Sequence, residues 1–419
     1  MRWLLCISAL FAGLQVSPAQ TLTIKAMQYN LLAFGLPCGS VNILDKYGWL
    51  GSILDHYRPD LLAVNELAPE LGYTNGIRQL SFGTYTTQMA AAGFTNSAGS
   101  DRVNQLFYNT ALFGLKRVQV LPNSGIRDIT AYTLYIRPER RPGADTLFFT
   151  CLLAHLKAGD NASDVSDRNF SAQAVMNWMA AHAGKHVLLF GDLNVGAASE
   201  AAFQTLVFHP DTALRFRDPA GKASGWTGPA HAAVHTQSTR SSSTDCGSAG
   251  GMDDRFDFIL ASRAFMNGED GFGIVPGTYR ALGNPGTSYD SELPCTGNST
   301  VPSTVCINLR RTSDHLPVVV SLQASGATPA AEMLPAFRIW APEPASGSRL
   351  ALRWDHPAGG RLRLRLLDLS GRLLREASVE ASAGAWEWDA QALAPGLYVL
   401  RAEDAAGRSA SLRLVIPSW

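Results

Sequence analysis

Four apolar runs in this chain each meet a polar residue at one end. Leu61-Leu62-Ala63-Val64 leads into Asn65-Glu66, Leu147–Ala154 into His155, and Val187-Leu188-Leu189-Phe190 into Gly191-Asp192-Leu193-Asn194. In the fourth the order reverses, and Asp314-His315 precedes Leu316-Pro317-Val318-Val319-Val320. Short apolar runs bounded by turn residues are buried strands. Their polar ends therefore project from the mouths of strands, where a rigid scaffold can hold reactive groups. A further strand over about 22–29 ends at Asn30, and Asp257 falls within a strand at about 255–260.

Helical spacing separates these strands. Ile43, Tyr47, Leu50, Leu54 and Tyr57 recur on one face, as do Ala172, Val175, Met176 and Met179. Strand character also appears near 102–108, 111–121, 128–137 and 316–322, with turn residues such as Pro122-Asn123-Ser124-Gly125 between hairpin strands. The alternation of strands and helices predicts a mixed α/β sandwich and is too irregular for a barrel. From Ala220 to Met252 the chain is rich in Gly, Ser, Thr and His, a long loop of the kind that carries function or moves.

Residues 324–335, rich in Gly, Ala, Pro and Ser, read as a linker, and the texture changes beyond it. Arg361-Leu362-Arg363-Leu364-Arg365-Leu366 alternates strictly, the period of a half-buried strand. Trp386-Glu387-Trp388, Leu397–Arg401 and Ser411–Ile416 add strands to a small all-β sandwich over 336–419, whose only histidine is His356.

Residues 1–19 read as an export signal: Arg2, then a mostly apolar run, then Ser17-Pro18-Ala19 before Gln20. The protein is expected outside the cytoplasm, secreted or attached at the outer surface. Cys6 leaves with the signal. Of the five remaining cysteines, Cys151 sits in an apolar run and is expected to be a buried free thiol. Cys295 and Cys306 flank a polar loop and are expected to pair, and Cys38 can pair with Cys246. With 35 basic and 35 acidic residues, no global positive field recruits nucleic acid or membrane, so phosphate affinity must be local.

The polar strand ends form one chemical set: Asn30, Glu66, His155, Asp192, Asn194, Asp257, Asp314 and His315. Phosphoester hydrolysis needs very large accelerations, of which an acid–base histidine supplies only about 10² to 10⁴. A divalent cation and fixed donors must neutralise the rest of the phosphoryl charge. Carboxylates with an amide suit Mg²⁺, which keeps several waters.

Gln28-Tyr29-Asn30-Leu31, Val64-Asn65-Glu66-Leu67, Ala154-His155-Leu156-Lys157-Ala158-Gly159, Gly191-Asp192-Leu193-Asn194, Asp254–Leu260 and Ser313–Val318 occur in that order across residues 21–323. In wording and order they resemble the endonuclease/exonuclease/phosphatase superfamily. The resemblance implies a four-layer α/β sandwich over residues 20–323, with two mixed β-sheets flanked by helices. It implies that Glu66, Asn30 and Asp314 hold Mg²⁺ or Mn²⁺, with Ca²⁺ as a structural ion. Asp192 would orient or deprotonate the attacking water, Asn194 would fix the phosphate, and His315 backed by Asp257 would bind phosphate or act as base. His155 would serve the leaving group or the phosphate, although the strand Arg102–Tyr108 carries no acid to partner it. The stretch His235–Arg240 is similar to secreted bacterial members and makes Arg240 a phosphate contact.

Leu364–Arg372 and Ala394–Leu400 resemble the type IX secretion sorting domain, with Trp340-Ala341-Pro342-Glu343-Pro344 at its opening. That implies the type IX secretion machinery as a partner. The expected activity is that of a monomeric, secreted phosphodiesterase acting on DNA or RNA. The alternatives are a phospholipid such as sphingomyelin, a phosphomonoester, or a non-catalytic adhesin on the same scaffold.

Overall fold

A computed structural model of the chain describes residues 21–122, 125–141, 144–182, 185–243, 245–325, 338–341, 349–355, 360–368, 371–389, 393–404 and 409–416. The export signal, His356 and residues 326–335 of the expected linker lie outside the described residues. The chain divides into two compact units, Met1–Thr328 and Pro329–Trp419.

The first unit begins with β1 (Thr21–Phe34), α1 (Ile43–Tyr57), β2 (Leu61–Leu67), α2 (Leu71–Gly76), β3 (Met89–Ala91), β4 (Val103–Asn109), β5 (Phe113–Val120) and β6 (Thr130–Ile136). It continues with β7 (Phe148–His155), α3 (Ala162–Ala181), β8 (Val187–Asp192), α4 (Ala201–Val207), β9 (Asp257–Ala261) and α5 (Arg263–Asn267). β10 (Phe272–Ile274), β11 (Arg280–Ala281), α6 (Ser303–Thr312) and β12 (Val318–Ser325) complete it. One sheet runs β10-β12-β1-β2-β4-β3, with β11 also paired to β12, and the other runs β5-β6-β7-β8-β9. Both are mixed: β1 and β2 are parallel, as are β7 and β8, while their other neighbours are antiparallel.

Three apolar cores separate four layers. Met27, Tyr29 and Leu31 from one face of β1 pack with Leu50 and Leu54 of α1 and Leu309 of α6. The other face of β1, through Ile24 and Ala26, meets Leu134, Cys151, Leu188 and Ile259 of the second sheet. Leu152 and Leu189 point outward from that sheet onto Val175 and Met176 of α3 and Phe203 of α4. Period-two alternation in strands covered on both faces produces this layering. The fold is the α/β sandwich of two mixed sheets between helices.

Two elements depart from the sequence reading. Helix α6 occupies the segment just before Ser313-Asp314-His315, so Cys306 lies within a helix and not at the edge of a loop. Its polar residues outnumber its buried Val305, Cys306 and Leu309, which hid the period. β12 also continues through Ala324 and Ser325, two residues into the stretch read as linker. The cysteines pair as Cys38–Cys246 and Cys295–Cys306, and Cys151 is free and buried.

The two sheets are joined beneath their polar ends by Asn65. Its Oδ1 accepts the Asp192 N–H at 3.0 Å and a bond from Gln28 Nε2, and its Nδ2 donates to Ala154 O at 3.1 Å and to Asn104 Oδ1 at 2.6 Å. A buried amide with all its capacity filled fixes the register of one sheet on the other.

The second unit consists of β13 (Arg338–Trp340), β14 (Arg349–Asp355), β15 (Arg361–Leu367), β16 (Leu373–Glu380), β17 (Ala385–Asp389), β18 (Gly396–Asp404) and β19 (Ser409–Ile416). They form sheets ordered β13-β14-β17 and β16-β15-β18-β19. Leu362, Leu364 and Leu366 are buried, while Arg361 and Arg363 point outward onto Glu380 and Glu376.

Candidate active site

The polar strand ends of β2, β7 and β8 and the Asp314-His315 dipeptide meet at one cavity of about 690 Å³, lined among others by Glu66, His155, Asp192, Asn194, Asp314 and His315. Asn30 and Asp257 stand behind this surface, fully buried. The backbone bends sharply here. Leu32, Ala33, Glu66 and Asn194 all have positive φ, between 46° and 60°. Strain of this kind persists only where surrounding contacts over-determine it, and it turns side chains from the strand ends into the cavity.

Glu66 is held by the Ala33 N–H on Oε2 at 2.8 Å and by Asn30 Nδ2 near Oε1 at 3.3 Å. Burial works against its charge, but the Arg102 guanidinium and the Ala33 N–H outweigh it and hold its pKa below the ordinary value. Asn30, expected beside the cation, is buried behind Glu66 and Asp192. Its Oδ1 accepts the Leu32 N–H at 3.0 Å, which turns its Nδ2 toward Asp192 at 2.9 Å. It presents donors to two carboxylates, and the Leu32 N–H occupies one of the two lone pairs of its oxygen. Asp314 is also largely satisfied: Oδ2 accepts Ser248 N–H at 2.6 Å and Gln237 Nε2 at 3.1 Å.

The donor set fits a cation that retains most of its water. Among the described residues no group of three or more His, Cys, Asp or Glu could hold a metal ion. One ionised carboxylate, Glu66, facing a cavity suits Mg²⁺ or Mn²⁺ bound through one or two carboxylates plus substrate oxygens, and does not suit an all-protein cage. Asp314 can add only its second oxygen, which lies 3.5 Å from Ser313 Oγ.

On the opposite side, His315 Nδ1 lies 2.7 Å from Asp257 Oδ2, and its Nε2 lies 3.8 Å from Asp192 Oδ2. Burial disfavours a charged ring, yet Asp257, Asp314 and Asp192 outweigh it and raise the His315 pKa well above the ordinary value. Burial pushes the Asp192 carboxyl up, with Asp257 and Glu66 adding to the effect and His315 opposing it. His155 Nε2 is 3.5 Å from Asp192 Oδ2, and its Nδ1 has no hydrogen-bond partner. Burial and the nearby Arg127 lower its pKa to about 3, so the ring is neutral at ordinary pH. Asn194 donates from Nδ2 to Leu156 O at 3.3 Å and faces the cavity.

Arg240, expected at the substrate, is not among the cavity-lining residues. Its Nη1 pairs with Asp245 at 2.6 Å, and Asp245 in turn accepts the Gly247 N–H and the Ser243 hydroxyl. Arg240 therefore braces the loop that carries Ser248 to Asp314. Arg310, on α6, pairs with Glu292 at 2.6 Å.

Three residues were not singled out from sequence. Arg102 lines the cavity 3.6 Å from Glu66, and Arg127 reaches Leu156 O at 3.4 Å beside His155. Each is a lone arginine in a loop next to a strand, with no pattern to distinguish it. Gln237 also lines the cavity, and it lies in the quoted stretch His235–Arg240.

Comparison with known proteins adds the following. No family model matches the chain, and no curated protein matches it. Among solved structures it is similar to the human Nocturnin catalytic domain with bound sulfate, at 16% identity over 73% of this chain and 97% of that one, with a TM-score of 0.45. It is similar to D. rerio TDP2 complexed with a single-strand DNA product, at 16% identity over 72% and 98% of the two chains, TM-score 0.45. A Bacteroides thetaiotaomicron endonuclease/exonuclease/phosphatase family protein matches at 14% identity over 73% and 96%, TM-score 0.45. At this level the likeness assigns no residue a role.

Proposed function

We propose that the first unit is a divalent-metal-dependent phosphoester hydrolase acting on phosphodiesters, with nucleic acid as its substrate. One observation carries this reading: a single cavity joins the Glu66 carboxylate to a buried Asp257–His315 pair, with Asp192 between His155 and His315. Bound at Glu66, the cation would neutralise charge on the phosphoryl oxygens.

The chain's own residues do the rest. Asp192, with its affinity for protons raised, takes the proton of the attacking water as the new P–O bond forms, and the leaving oxygen takes a proton from solvent water as its bond to phosphorus breaks. Asp257 fixes the ring of His315 so that Nε2 meets a phosphoryl oxygen. Neutral His155 and Asn194 orient the phosphate by hydrogen bonds, and Arg102 supplies local positive charge that the chain as a whole lacks.

The test is incubation of purified protein with plasmid DNA, RNA, sphingomyelin and a phosphomonoester, each with Mg²⁺ and then with EDTA. Metal-dependent cleavage of DNA or RNA supports the reading. Turnover of sphingomyelin or the monoester alone moves the substrate class, and no turnover of any favours a binding protein. We infer further that residues 1–19 direct export and that 336–419 address the type IX machinery. A chain lacking 336–419 should then remain in the periplasm of a host with that machinery, and its appearance outside the cell would refute the sorting role.

A further inference from the structure

Gln237 stands where two site residues meet. Its Nε2 lies 3.1 Å from Asp314 Oδ2 and 2.7 Å from His315 Nε2. Its backbone is pinned on both sides: the N–H donates to Asp254 O at 3.1 Å, and the carbonyl accepts from Asp253 and Asp254 at 3.0 Å each. The flanking residues are tied to the same elements. Thr236 Oγ1 accepts the Asp257 N–H at 3.3 Å, Thr236 O accepts the Leu316 N–H at 2.7 Å, and Thr239 N–H donates to Asp314 O at 3.0 Å. A side chain on so fixed a backbone has little freedom to be elsewhere. An amide NH₂ carries two protons: Asp314 Oδ2 accepts one, and His315 Nε2 accepts the other in the ring tautomer that carries its proton on Nδ1.

We propose that Gln237 is a positioning residue that couples Asp314 to His315 and aims His315 Nε2 at the phosphoryl oxygen. Asp257 holds Nδ1 and fixes one edge of the ring, and a second contact at Nε2 is needed to fix its tilt. Gln237 supplies that contact and ties it to Asp314, which Ser248 N–H anchors from the far side at 2.6 Å. An oxygen seated at hydrogen-bond distance from His315 Nε2 also lies within reach of the Gln237 amide. When the ring carries a proton on Nε2 as well, the amide passes one N–H from the ring to the arriving oxygen while keeping the other on Asp314, so that ring and amide both donate to that oxygen. A methionine fills the same space without either donor.

This inference rests on the hydrolase reading for its kinetic consequence but not for the contact itself, and the two are measured separately. The kinetic arm compares the parent with Gln237→Met on bis(p-nitrophenyl) phosphate with Mg²⁺. Misplacing a reacting group by about 1 Å costs on the order of 10² in rate. The expected result is kcat lower by about 10- to 100-fold with KM near the parent value. The contact arm follows the ring nitrogens of His315 by NMR, assigned by their loss in His315→Ala. In Gln237→Met the Nε2 resonance should move while the Nδ1–H facing Asp257 stays. If Gln237→Met does not fold, Gln237→Glu, of the same shape, takes its place in both arms, with loss of kcat and a displaced Nε2 resonance expected. Parent kcat together with unmoved ring resonances overturns the proposal. A parent protein without turnover refutes the hydrolase reading instead, and the resonance arm then decides the role of Gln237 alone.

Discussion

His315 Nδ1 lies 2.7 Å from Asp257 Oδ2, and both side chains are buried at the base of the cavity. A buried carboxylate on one ring nitrogen fixes which nitrogen faces the substrate and favours the charged, phosphate-binding ring. Asp257→Asn keeps the shape and removes the charge. Activity should fall by about 10² to 10³, the worth of a fixed donor to the phosphoryl charge, and the thermal midpoint should drop because the buried ring loses its carboxylate partner. Steady-state kinetics on any cleaved substrate check this.

His155 gives a pH prediction. Its folded pKa of about 3 lies below the ordinary histidine value of about 6.5, chiefly through burial. The unfolded chain therefore binds a proton that the folded chain refuses. The contribution to stability is present above about pH 6.5 and is lost as pH falls through about 3. Urea unfolding at several pH values should show a shallower acid loss in His155→Gln than in the parent. Equal slopes would contradict the burial account.

Asn65 carries the joint between the sheets. Asn65→Ala leaves Gln28 Nε2 and Asn104 Oδ1 without the partner that Asn65 gives them. Unpaired buried groups cost about 1 to 3 kcal/mol each, so the variant should lose on the order of 3 kcal/mol in denaturant unfolding. Activity should fall as well, because Asp192 is positioned from the same backbone.

The Cys38–Cys246 bridge spans 208 residues and holds the loop that brings Ser248 N–H to Asp314. Replacing both cysteines by serine should cost about 2 to 5 kcal/mol of stability. Activity measured well below the new midpoint should also drop, since Asp314 loses a donor. A stable but fully active double variant would show that the loop holds its place without the bridge.

Much of the site was legible because strand chemistry is local. Apolar runs of four to eight residues declared buried strands, and Glu66, His155 and Asp192 sit at their ends, facing one cavity. The Cys295–Cys306 bridge and the free Cys151 followed from the company each cysteine keeps, and Cys38–Cys246, open from sequence as the pair that remained, is the second bridge. What was not legible depends on long-range geometry. Nothing near Asn30 says that its oxygen will cap Leu32 and turn its NH₂ toward Asp192, and nothing near Arg240 says that its Nη1 will pair with Asp245. Gln237 reaches the site from an irregular segment that borrows hydrogen bonds from Asp254 and Leu316, with no period to reveal it.

The most direct test of the account compares the parent with Glu66→Gln on a cleaved phosphodiester while Mg²⁺ is titrated and then removed with EDTA. The account predicts that EDTA abolishes parent turnover and that Glu66→Gln loses about 10² or more in kcat/KM, since one ionised carboxylate carries the cation. Turnover that survives EDTA, or a Glu66→Gln variant with the parent's rate and Mg²⁺ dependence, would contradict it.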